Sequence, residues 1–412
     1  MQHFKQRIQS YLPGFFLICY NIGIGSVTLM SKSGALYGCS LLWVVIMSSL
    51  LYYYFVCGFS RYTMVTGETF IWAVKRHIGR PMAWLILTFV WIIILPAILG
   101  LMGIMSEVLF EWSKGWIAGG ISSAIWAIGL SLLICLFFIM GTTGSVKQVL
   151  SSIVIIIVVA FIANLFYAFP PIGDVVKGLV PSIPPDVAGS DNGTNLLIAG
   201  MIGTTVSSIA FMIRSINVKE EGWGVEQLKQ QKHDALLSTI GVFVISTAIL
   251  IAAASTLHPR GLRVNNAVDL VRLLEPIAGS TSIILMVIGI IAAGITSHIP
   301  NVMVIPWAMS DYEGKPMDLQ CKRNRILVVC LTMLGIITPV FHWKPVFVML
   351  LSQGMLTILL PIIVACLWYL LNRKDMKAYK FKHWENILMG FVFCVSLFFS
   401  GIAIWGLVKD YI

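Results

Sequence analysis

The sequence predicts an all-α polytopic membrane protein with about eleven transmembrane helices. Three observations predict it. The chain of 412 residues is 58% hydrophobic and 11% charged, with a mean hydropathy of +0.90, where a soluble domain carries about 25% charged residues. Apolar runs of about 20 residues, the length that crosses a ~30 Å hydrocarbon core, recur eleven times. Two of those runs, the first and the sixth, are interrupted by glycines and hydroxyl residues.

Taken in order, the runs lie near 12–38, 39–60, 81–110, 117–140, 147–169, 194–214, 236–257, 280–309, 324–342, 343–371 and 385–408. The first is no cleavable signal, because it continues directly into a span. Its interruption reads Tyr20-Asn21-Ile22-Gly23-Ile24-Gly25-Ser26. That of the sixth reads Gly203-Thr204-Thr205-Val206-Ser207-Ser208. Glycine lowers the cost of leaving helical geometry, and hydroxyl side chains satisfy freed backbone groups. Irregular backbone at membrane depth is tolerated only where protein or a wet cavity covers it. Breaks in corresponding helices of two halves point to a transporter's central site. The expected layout is therefore one membrane domain: a repeat over about 12–169, a second over about 194–371, and an extra helix over about 385–408. Non-helical backbone is expected at 23–26 and 203–208, the two breaks facing each other.

Charge sets the orientation. Net charge is +10, and 20 of the 28 Lys and Arg fall on the side of the N-terminus. By the positive-inside bias the N-terminus is cytoplasmic and, with eleven spans, the C-terminus outside. This accounts for the basic balance without nucleic acid as a partner. The eight cysteines lie mostly inside apolar runs and form no CxxC pair, so they suggest neither a metal ribbon nor a disulfide framework. No nucleophile set, phosphate loop or His/Glu metalloprotease spacing is present, so the chain is read as a transporter and not an enzyme, with no cofactor.

Several stretches resemble the Nramp family of proton-coupled divalent-metal transporters, which has the LeuT-type inverted-repeat fold. They are LPGFF at 12–16, SGALYGCSLLW at 33–43, Ser60 to Glu68, GMIGTTV at 200–206, AAGITS at 292–297 and LLSQGMLTILLP at 350–361. Their order and spacing carry the likeness over most of the chain. The resemblance implies a bacterial plasma-membrane symporter. It also implies a metal site that the residues here do not reproduce. Where the family has Asp-Pro-Gly-Asn on its first helix, this chain has Gly23-Ile24-Gly25-Ser26. Where the sixth has Met-Pro-His, it has Ser207-Ser208-Ile209. The family's glutamine on helix 10 is matched to Leu359, and its acidic pair on helix 3 to Ile94 and Ala97.

A desolvated divalent cation needs anionic or well-directed oxygen ligands, and the Born cost of burying even a single charge is of order 20 kcal/mol. Loss of the carboxylate therefore argues against the usual metal site. The substrate-binding candidates are Asn21, Gly23, Gly25, Ser26, Gly203, Thr204, Ser207 and Ser208. Each glycine and serine has an alternative role in close helix packing. The expected substrate is a small polar organic solute held by half-helix ends and carbonyls. Two alternatives stay open: a carrier of a hydrated, magnesium-like divalent cation, and a non-transporting sensor on the same fold. The coupling ion is a proton or sodium. If it is a proton, His298 is the candidate carrier, since histidine titrates near neutral pH. Lys32 is expected to snorkel to the outer surface. Arg214 and Lys219 are expected to anchor topology, and Glu68 to cap a helix or pair with nearby basic residues.

Overall fold

The computed structural model describes residues 12–140, 170–187, 193–264, 269, 281–316, 318–319 and 321–411. Within them the chain is helical: α1 (Leu12–Asn21), α2 (Ile24–Tyr37), α3 (Leu42–Thr66), α4 (Phe70–His77), α5 (Arg80–Ser113), α6 (Ser123–Met140) and α7 (Ile172–Lys177). There follow α8 (Thr194–Thr205), α9 (Ser208–Glu220), α10 (Leu228–Thr256), α11 (Thr281–Glu313), α12 (Lys322–Leu334), α13 (Ile337–Val340), α14 (Pro345–Leu371) and α15 (His383–Tyr411). Eight stretches are long and apolar enough to cross a membrane, with the α8–α9 pair counted as one, and α6 is a shorter apolar helix. The α1–α2 pair supplies the broken first span. The span expected at 147–169 lies outside the described residues.

Both breaks form, and each is shorter than expected. The first covers only Ile22 and Gly23, and Ile24 to Ser26 are already helical. Gly23 is extended (φ −118°, ψ −167°) and caps α2 without a side chain. The second covers Val206 and Ser207, where the Ser207 hydroxyl accepts from Ala210 N and caps α9. Glycine and serine thus each end a helix by ordinary capping chemistry, and Gly203 to Thr205 remain in α8.

Packing brings the broken pairs to the centre. α2 lies along α10, α8 along α14, and α5 against both α11 and α14. On the side of the bundle holding the α1 start, Phe55, Phe59 and Phe70 gather round Phe211, with Phe55–Phe211 and Phe59–Phe70 centroids 5.1 and 4.9 Å apart. These rings seat α9 on α3 and α4, each pair contributing of order 1 kcal/mol beyond its buried area.

Two basic residues behave otherwise than expected. Lys32 is buried, at 1% exposure, within α2 rather than snorkelling. Arg214 is wholly buried and pairs with Asp234 at 2.7 Å, so it is an internal ion-pair partner and not a surface anchor. Glu68 pairs with Arg76 and His77, both at 2.7 Å.

Candidate functional site

A cavity lies between the breaks. Its walls include Tyr20, Asn21, Gly23, Gly25 and Ser26 from the first span, Thr204, Ser207 and Ile209 from the sixth, and Ile93, Ile94 and Ala97 from α5. Ser297 and Asn301 come from α11, and Met349, Ser352, Gln353 and Leu356 from α14. The cavity offers about 30 Å³ to the centres of water-sized spheres. One water needs roughly 10–15 Å³ by the same measure, so the space holds about two.

Hydrogen bonds fix the walls. Ser26 and Thr204 join the two breaks through their hydroxyls at 2.8 Å, and Ser26 also donates to the Asn21 carbonyl. The Asn21 amide donates to Leu17 O at 2.9 Å. The residue is 3% exposed, and among the described residues its side-chain Oδ1 has no hydrogen-bond partner. On α11, Ser297 accepts from Ile24 N at 3.3 Å, while Asn301 donates to Ser297 O at 2.7 Å. On α14, Ser352 donates to Ile93 O at 2.9 Å. No Asp, Glu, Lys, Arg or His lines the cavity among the described residues. The site is neutral, rich in amide and hydroxyl oxygen, and carries one thioether at Met349. An unpaired buried amide oxygen costs of order 1–3 kcal/mol, a penalty that a bound cation or water would remove.

Of the sequence candidates, Asn21, Gly23, Gly25, Ser26, Thr204 and Ser207 line the cavity. Gly203 and Ser208 do not. A side chain on Gly203 would overlap the Gln353 carbonyl, so that glycine lets α8 approach α14. Ser208 donates to Leu356 O at 3.3 Å. His298 is fully buried on α11, away from the cavity wall, and neither ring nitrogen has a hydrogen-bond partner among the described residues.

Sequence reasoning missed Ser297, Asn301, Met349, Ser352 and Gln353. The match of the family's glutamine to Leu359 puts an apolar residue off the cavity wall. Gln353 sits on the same helix and lines the cavity, while Leu359 is fully buried elsewhere. A glutamine inside a span is a functional candidate by default, and that signal was present in SQGML. The matches of Ile94, Ala97 and Ile209 place apolar groups on the wall, so they give the cavity no proton carrier. Nothing in the cavity wall selects the expected organic solute over the divalent-cation alternative, since either would meet the same uncharged amide and hydroxyl oxygens.

Two broken spans meeting at a polar cavity define a secondary-transporter architecture. The Nramp description, natural resistance-associated macrophage protein-like, matches residues 14–406. The chain belongs to the Nramp family; it is an integral membrane transporter and not an enzyme. It is 23% identical to the divalent metal cation transporter MntH of Erwinia tasmaniensis, over 84% of this chain and 81% of that one. With the protein of the same name from Caldanaerobacter subterraneus subsp. tengcongensis it is 22% identical, over 97% and 94%. Among solved structures, a manganese transporter of Eremococcus coleocola superposes with a TM-score of 0.76 at 16% identity, covering 98% of this chain and 88% of that one. The inward-facing form of Mhp1 gives 0.62 at 13% identity, covering 97% and 89%. These two likenesses establish the LeuT-type fold.

Proposed function

We propose that this protein carries a divalent metal cation, still partly hydrated, through the cavity between α1–α2 and α8–α9. The observation that carries the reading is the cavity itself, uncharged, walled by oxygen-bearing side chains and roomy enough for an ion with a water. The Asn21 and Gln353 amide oxygens would be the principal protein ligands, with Ser26, Thr204, Ser207 and Asn301 holding the remaining water. Oxygen-only ligation with retained water suits magnesium- or manganese-like ions, and Met349 adds a weak, softer contact. Without a carboxylate the ion binds loosely, which favours release on the far side. The names of the relatives, divalent metal cation transporters and a manganese transporter, support a metal as cargo.

Alternating access would come from the half-helices α1 and α9 moving away from the bundle of α5, α11 and α14. The repeats run over about 12–169 and 194–371, with α15 outside them. The N-terminus is placed in the cytoplasm and the C-terminus outside a bacterial plasma membrane. A proton or sodium ion drives uptake, with His298 as the carrier if it is a proton.

The test is flux into proteoliposomes. Saturable uptake of manganese or magnesium is expected, reduced at least tenfold by Gln353→Leu or Asn21→Leu. Uptake of a zwitterionic amino acid with no divalent flux would overturn the reading.

A further inference from the structure

We propose a second cation site, lined by Glu107 and His342, that captures a divalent transition-metal ion at the opposite end of the molecule from the α1 start. Its role in feeding transport rests on the function proposed above.

The site is a separate cavity of about 110 Å³, walled by Ser106 and Glu107 of α5, Ser123 of α6, Thr338 of α13, and the turn at His342. Its floor is closed, with Ser106 and Thr338 at 0% and 1% exposure, while His342 is exposed at its mouth. Carboxylate, imidazole and hydroxyl thus meet in one pocket with water access. Carboxylate and imidazole together suit manganese, iron or zinc, and imidazole disfavours magnesium.

Two independent observations point to a ligand. Thr338 lines the pocket, is buried, and its hydroxyl has no hydrogen-bond partner among the described residues. His342 has φ +54°. The turn is closed by Trp343 N donating to Thr338 O at 3.1 Å, which makes His342 the left-handed residue ending α13, a place where glycine is usual. A side chain there is strained, and strain of this kind gathers at binding sites. Gly103 allows the walls to meet, because a Cβ there would lie 2.6 Å from both Pro345 and Thr338.

The pocket also shares two helices with the central cavity. Along α14, Pro345 lines the first and Met349 the second, one turn apart or roughly 6 Å. Along α5, Gly103 and Ala97 do the same, roughly 9 Å apart. The neutral central cavity thus has a charged antechamber immediately beside it.

The experiment titrates manganese into the full chain in lipid nanodiscs and reads free hexaaqua manganese by electron paramagnetic resonance. The background is Gln353→Leu, which disables the central cavity. One manganese should bind there, and adding Glu107→Gln or His342→Gly should weaken it tenfold or more. His342→Gly should also unfold at the same or a higher temperature, because glycine accepts the left-handed turn without penalty, so lost binding is not lost fold. Unchanged affinity in both variants, or no manganese bound in the Gln353→Leu background, overturns the proposal. Flux is scored separately. A wild type that moves neither manganese nor magnesium removes the central-carrier reading, while the titration still decides this site.

Discussion

Ser297 fills the space that a side chain at position 23 would need, since a Cβ on Gly23 would overlap its hydroxyl. A carboxylate at position 23 would therefore meet Ser297, whose hydroxyl accepts from Ile24 N. Gly23→Asp alone should destabilise the break by about 1–3 kcal/mol, the range for overpacking. Gly23→Asp with Ser297→Ala should recover most of that loss and bind manganese more tightly than wild type, as calorimetry can measure. At His298 the test is proton coupling. His298→Gln keeps size and hydrogen bonding but does not titrate. If the proton travels through it, gradient-driven uptake in proteoliposomes should lose its pH dependence while the fold survives. Equal dependence in both proteins would assign His298 to packing.

At the scale of elements, the α1 half-helix is fastened at its start. Gly14 N donates to Asp234 Oδ1 at 3.0 Å, Asp234 pairs with Arg214 of α9 at 2.7 Å, and Arg214 Nε donates to Ser60 of α3 at 2.8 Å. One buried ion pair thus ties both mobile half-helices to α3 and α10. Removing one partner strands a buried charge, at a cost of about 3–5 kcal/mol. Asp234→Leu should therefore free α1, read as a longer spin-label distance from α1 to α10, and adding Arg214→Met should restore much of the stability without restoring that distance. A second fastening lies at the α3–α4 corner. Burial tends to raise the Glu68 pKa, but hydrogen bonds from His77, Tyr62 and Arg76 outweigh it and hold the carboxyl below its usual value. A carboxyl depressed by folding stabilises at neutral pH, and that stability is lost as pH falls through the lowered pKa. Glu68→Gln should thus cost about 1 kcal/mol at pH 7, and the gap to wild type should close as the buffer falls below about pH 4.

The break positions were legible at this scale because glycine and hydroxyl residues run together at those two places, although single ones, Gly203 among them, serve helix packing instead. Their lengths were not legible, because Ser207 and Gly23 cap the following helices so closely that two residues suffice. Gln353 was passed over. Leu359 lies six residues on, roughly 120° round the same helix, and apolar sequence on every side of α14 gives no periodicity from which to choose a face. Ser297 and Asn301 carry the i, i+4 spacing of a shared face, but nothing in the sequence says that this face looks at α2. Arg214 read as a surface anchor because its partner Asp234 lies 20 residues on, across a connection that turns back on itself.

On the scale of the whole molecule, the two cavities and the Arg214–Asp234 pair lie in order along the bundle. α5 and α14 carry the outer pocket at Glu107 and Pro345 and the central one at Ala97 and Met349. Gly14 and Asp234 lie beyond, on the side of the α1 start. A cation moving from the Glu107 pocket to that side passes from a charged mouth, through a neutral site, to a closed latch. Import follows only if the α1 start is cytoplasmic, the orientation that the excess of Lys and Arg on that side favours. Cys321 tests this. It is exposed in the connection between α11 and α12, on the same side as Asp311, whose carboxylate accepts from Ile71 N at 3.1 Å at the start of α4. Lys114, at the end of α5, is exposed on the opposite side. In a protein with the other cysteines changed to serine, a membrane-impermeant maleimide should label Cys321 in inside-out vesicles and leave it unlabelled in intact cells. Adding Lys114→Cys to a Cys321→Ser background should give the reverse. Labelling of Cys321 from outside intact cells would invert the molecule, put the Glu107 pocket in the cytoplasm, and make it a site from which metal is exported.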